Sequence, residues 1–157
     1  MRQSHRQAQL LRTSRRRGSA AVEFAFVSPL LILMVMGTID VGQFVSVGQT
    51  VNNASREGAR RACRNAVKTV SEVETAVQAY LANTFPNVSP AEINAAVTVT
   101  VVDGSGSAIS GGDLTTVPSG ESVSVTVTFQ YETVRWVSGF PGVTGQSLRT
   151  KTVMRRE

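Results

Sequence analysis

The chain is poor in the residues that most enzymes use. It has one cysteine, Cys63, and one histidine, His5. A lone cysteine cannot close an intramolecular disulfide. His5 lies in a basic leader, so the rest of the chain has no imidazole for serine–histidine or cysteine–histidine catalysis. No cluster of Cys, His or closely spaced carboxylates has the spacing of a metal site. A phosphate-cradling loop ending in Gly-Lys and a dinucleotide fingerprint are both missing. Gly104-Ser-Gly106 lies in a Gly/Ser loop with no helix after it, which makes it a linker. These gaps predict a protein that is not an enzyme and needs no cofactor.

Acidic residues are missing from the first 22 positions as well. The net charge is +5, but Arg2, Arg6, Arg12, Arg15, Arg16 and Arg17 supply six of the 16 basic residues. Without them, ten basic residues face 11 acidic ones. The basicity therefore reads as a topology signal and not as a nucleic-acid footprint.

What the sequence does have is one long apolar run. From Ser19 to Ile39 nearly every residue is apolar or small, and a membrane-spanning helix needs about 20 such residues. Six arginines before the run, with only Asp40 charged close after it, predict a cytoplasmic N-terminus and an extracytoplasmic C-terminal domain. A secretory signal peptide is the competing reading. The run exceeds the usual apolar core of about 7–15 residues, and no small-x-small cleavage site follows Ile39. Glu23 sits inside the run, where a charge costs on the order of 2.5–3.5 kcal/mol at the helix centre. Such a residue either stays protonated, reaches the cytoplasmic surface, or has a partner.

Gly18 with Glu23 five residues on, between an arginine-rich leader and an apolar helix, resembles the processing site of type IV pilin-like precursors. The pair Glu23-Phe24, then Pro29, is similar more narrowly to the TadE-like pseudopilins of tight-adherence (Flp) pilus systems. Ala54-Ser-Arg-Glu-Gly-Ala-Arg60, with Arg56, Glu57, Gly58, Ala59 and Arg60, and the final Met154-Arg-Arg-Glu157 extend the resemblance. Ser19 stands where many pilins carry Phe or Met. The resemblance implies a prepilin peptidase cut between Gly18 and Ser19, which makes Glu23 the fifth mature residue. It also implies that Glu23 answers the new Ser19 amine of a neighbouring subunit. Implied partners are that peptidase, other pilins and pseudopilins, the inner-membrane assembly platform and the lipid bilayer. A second reading stays open: an unprocessed single-pass anchor carrying an adhesive or ligand-binding domain.

The periodicities predict an α+β architecture, a long helix packed across a three- or four-stranded antiparallel sheet, and the resemblance independently implies the same pilin-like fold. Residues 1–18 form a flexible cytoplasmic leader, 19–39 the transmembrane helix, and 40–157 an extracytoplasmic domain. Apolar or small residues at three/four spacing carry the helix on through about 40–67, with Pro29 expected to kink it. Glycines 37, 42, 48 and 58 mark either flexibility or close helix approach. Arg56, Arg60, Arg64 and Lys68 make a basic ridge, with Glu57 in reach of Arg60 or Arg61. Capping-box patterns at Thr69 and Ser71 start a second helix of about 72–84, with Val73, Val77, Tyr80 and Leu81 inward. Strands follow at about 96–103, 122–131 and 148–155, the last an edge strand. Along 122–131, Val123, Val125, Val127 and Phe129 are expected to face the long helix and Thr126 to face out. Cys63 reads as a small core residue.

Overall fold

The period-2 alternation of the C-terminal half builds a three-stranded antiparallel sheet in the order β1-β2-β3. Its strands are β1 (Val97–Val102), β2 (Ser122–Gln130) and β3 (Ser147–Arg155). The registers pair Val101 with Val125 and Val125 with Thr152. β3 lies at an edge, as its Lys and Arg predict. The structure, a computed structural model, describes residues 3–136 and 144–157, with side chains from Ser19 onward. Most of the irregular stretch 136–145 therefore lies outside the described residues. The chain divides into two compact units, Met1–Ile39 and Asp40–Glu157.

Helix α1 (Gln3–Ala62) contributes to both units. It differs from the expected helix at each end. The backbone is helical from Gln3, where a flexible leader was expected, because residues 3–17 are rich in Gln, Arg, Ala and Leu with no Gly or Pro. At the other end α1 stops at Ala62, short of Val67. Arg60 and Arg61 occupy the last turn, favourable against the helix dipole. Arg64 N–H then donates to Arg61 O at 3.1 Å, a tightened turn, and Val67 N–H to Arg64 O at 3.0 Å.

Helix α2 (Val70–Thr84) begins two residues before the expected position. Of the two capping candidates Thr69 is the one used: Glu72 N–H donates to Thr69 Oγ1 at 3.3 Å. Val73, Val77 and Leu81 are fully buried, and Tyr80 is half-buried. A third helix, α3 (Pro90–Ala96), was not expected. Its start is a full capping box, in which Glu92 N–H donates to Ser89 Oγ and Ser89 N–H donates to Glu92 Oε2. Pro90 is suited to the first helical turn.

The core of the second unit lies between the sheet and the helices. β2 places Val123, Val125, Val127 and Phe129 on the inner face, all fully buried. α1 answers with Val47, Val51, Ala54, Ala59 and Ala62. Small side chains let the backbones come close. A β-carbon on Gly58 would lie 2.7 Å from Val77 Cγ2 and 3.3 Å from Val125 Cγ1, so this glycine is required for packing. Gly37 and Gly42 have nothing within 4 Å of that position. Ser55 Oγ hydrogen-bonds Thr152 Oγ1, joining α1 to β3. Phe85 stacks on Phe129 with centroids 6.0 Å apart.

One residue faces as expected but is less exposed than an outward position suggests. Thr126, on the outer face of β2, is only 8% exposed, and Ser124 6%. β2 is the central strand, so Thr126 lies between Thr100 and Lys151, and Ser124 between Val102 and Val153. Neighbouring strands on both sides shield these short side chains.

Candidate functional site: an apolar helical segment and a buried ion pair

In the first unit, the residues following Ser19 present apolar side chains on every side of α1. Phe24 is 68% exposed and Phe26 81%, and Val22, Leu30, Ile32, Met34 and Val35 are exposed too. A helix apolar all round and covered by none of the described residues suits a nonaqueous surrounding. It is long and apolar enough to cross a membrane. Its backbone groups are satisfied within the helix, as lipid demands. The Thr38 hydroxyl, inside the run, donates to Met34 O at 2.9 Å and is also satisfied within the helix. Glu23 is exposed on this surface and makes no ion pair among the described residues. Pro29 lies within α1, and the helix continues through it.

In the second unit, the residues Arg56 to Arg60 lie along α1. Arg60 Nε and Nη2 donate to the two Glu57 carboxylate oxygens at 2.8 and 2.9 Å, and Arg61 Nε donates to Oε1 at 3.0 Å. The hydrogen bond from Arg60 holds the Glu57 carboxyl below its usual pKa. Arg56, Arg64 and Lys68 are exposed. Gly58 and Ala59 are buried core. The segment thus splits into an inner face that packs and an outer face of solvated charge.

The most organised polar group is one that sequence reasoning missed. Asp40 is 1% exposed, on the first turn of the second unit. Arg135 grips it with Nε on Oδ1 and Nη2 on Oδ2, each at 2.9 Å. The fully buried Tyr131 brings its hydroxyl within 3.1 Å of Asp40 Oδ1. Gln43, one turn on, donates from Nε2 to Val134 O at 2.7 Å and accepts from Trp136 N–H at 3.1 Å. Phe44 meets the Tyr131 ring edge-on at 5.1 Å. The 3-10 turn Tyr131–Val134 and the two residues after it are thereby fastened to one turn of α1. Burial, then the neighbouring Asp40, pushes the Tyr131 phenol up to about 12. Hydrogen bonding to Asp40 raises Arg135 as well, so it stays a cation. Two charges removed from water hold together only with such complete pairing. The sequence signal was faint: Asp40 is the first charge after the apolar run, but its partner lies 95 residues away.

Cys63 is buried, and desolvation raises its thiol pKa. No group of three or more His, Cys, Asp or Glu among the described residues is arranged to hold a metal ion.

Residues 18–60 match a protein-family model described as TadE-like protein. This stretch of the chain is TadE-like. The TadE-like stretch opens on Gly18, takes in Ser19, Glu23, Phe24 and Pro29, and closes on Arg60. It therefore covers the apolar run, the turn bearing Asp40 and the part of α1 that packs on the sheet. No curated protein and no solved structure matches the chain. A TadE-like segment on an apolar, membrane-length helix fits a protein associated with a tight-adherence pilus.

Proposed function

We propose that the chain is a minor pseudopilin of a tight-adherence (Flp) pilus assembly and secretion system, acting structurally and not as an enzyme. The observation that carries this reading is the TadE-like match, which begins at Gly18 and runs the length of the apolar segment. A prepilin peptidase cuts between Gly18 and Ser19 on the cytoplasmic side. The apolar helix stays with the mature protein in the cytoplasmic membrane, and the second unit faces outward. The arginine-rich leader supports that orientation by the positive-inside rule.

Each residue then has a physical task. Gly18 gives the peptidase close backbone approach, which any side chain would obstruct. Glu23, exposed in an apolar surface, is offered to the Ser19 amine of a neighbouring pilin subunit, because in low dielectric a pair is preferable to two unpaired charges. The exposed apolar side chains from Val22 to Ile39 contact lipid before assembly and neighbouring helices after it. The assembly platform in the inner membrane is the expected partner at that step.

The Gly18→Leu and Glu23→Ala variants test this. Gly18→Leu should leave the leader attached without affecting membrane insertion. Glu23→Ala removes a carboxylate from lipid, so a plain anchor inserts as well or better, whereas a pseudopilin loses assembly. Full pilus function in both variants would reject the proposal in favour of an unprocessed anchor.

A further inference from the structure

The second unit exposes few large apolar side chains among its described residues: Val41, Val45, Trp136 and Val153. Three of these four gather at one level. Val41 and Val45 lie on the first turns that α1 contributes to this unit. Trp136 is 77% exposed, yet its backbone is fixed to the same turns. Its N–H donates to Gln43 Oε1 at 3.1 Å, and the preceding Arg135 is locked on Asp40. The indole is therefore held in place by its main chain while its ring is left uncovered by the described residues.

The arrangement favours a bilayer over a protein as the cover. At 100° per residue, Gln43 lies about 200° around the helix from both Val41 and Val45. Trp136, tied to Gln43, and the two valines thus sit on different sides of α1. A protein partner would cover one side; a bilayer interface surrounds a spanning helix on all of them. The level is also right. Gln43 follows Ile39 by four residues, about one helical turn or 6 Å, and the interfacial zone on each side of the hydrocarbon is roughly 5–7 Å deep. Indole, an apolar ring with one N–H donor, concentrates at that depth. Asp40 and Arg135 at the same level are buried against each other, and the half-exposed Glu132 carboxylate is answered by Arg135 Nη1 at 3.5 Å.

We infer that Trp136, with Val41 and Val45, forms a collar that seats the second unit in the headgroup–acyl boundary of the leaflet from which α1 emerges. This rests on the reading of Ser19–Ile39 as a membrane span, and the test separates the two. Trp136 is the only tryptophan, so its fluorescence reports this site alone. The full chain is reconstituted into phosphatidylcholine–phosphatidylglycerol vesicles and floated on a density gradient. The collar requires that the chain float and that Trp136 emission shift to shorter wavelength. Lipids brominated high on the acyl chain should quench it more than lipids brominated near the terminal methyl. A floating chain with water-like emission, untouched by bromolipid, overturns the collar and leaves the span intact. Shifted emission without bromolipid quenching also overturns it, because protein then covers the ring. Stronger quenching by deep bromines rejects the interfacial depth. A chain that does not float removes the span and the collar together.

Discussion

Arg135 closes on Asp40 in a two-pronged, fully buried ion pair, Nε to Oδ1 and Nη2 to Oδ2, each at 2.9 Å. It joins the turn after β2 to the first helical turn beyond the apolar run. Removing Asp40 takes both short hydrogen bonds from the buried Arg135 and leaves it the longer 3.5 Å pairing with Glu132, so Asp40→Ala should cost about 3 kcal/mol. The double variant Asp40→Leu, Arg135→Met removes both charges and should recover much of that loss. Denaturation of the full chain in detergent measures both; a double variant as unstable as the two single losses added together would contradict the pairing.

Tyr131 sets a pH limit. Its phenol titrates near 10 in an unfolded chain and about 12 in the fold. The fold therefore holds the proton more tightly, and this contribution to stability is complete below about pH 10. It is lost as pH rises from 10 toward 12, because the unfolded chain releases its proton first. Spectroscopic titration of the native protein should show one of the two tyrosines ionising late. Tyr131→Phe should abolish that late phase; its survival would mean the phenol is not the buried group described.

Gly58 and Gly42 should respond to alanine with opposite signs. At Gly42 the new methyl has open space, and alanine favours the helix by up to about 1 kcal/mol. At Gly58 the methyl would meet Val77 and Val125, which are β-branched and stiff. Overpacking of about 1–3 kcal/mol should outweigh the propensity gain. Equal melting temperatures for the two variants would mean that α1 does not press on α2 and β2 as described.

Local patterns in the sequence carried much of this fold, and distance along the chain explains most of the misses. The alternation of Val123, Val125, Val127 and Phe129 was legible because each residue's face follows from its parity. Parity also put Thr126 on the outer face, but parity says nothing about neighbours, and on a central strand one on each side shields it. Helix α3 was written in Ser89-Pro90-Ala91-Glu92, but the prolines read as a terminator of α2 and hid the start of a new helix. The helical backbone of residues 3–17 was not anticipated, because arginine marks charge and topology more loudly than its good helix propensity. Asp40 and Arg135 could not be matched at all: no spacing rule links residues 95 positions apart in the sequence. The segment Gly18 to Arg60, by contrast, was readable from its own residues.

The central claim is processing between Gly18 and Ser19, and the mass of the purified membrane-bound protein tests it most directly. The account predicts a mature chain that begins at Ser19 and retains the apolar helix, with the leader restored in Gly18→Leu. A membrane-bound wild-type protein that still carries residues 1–18 would contradict it.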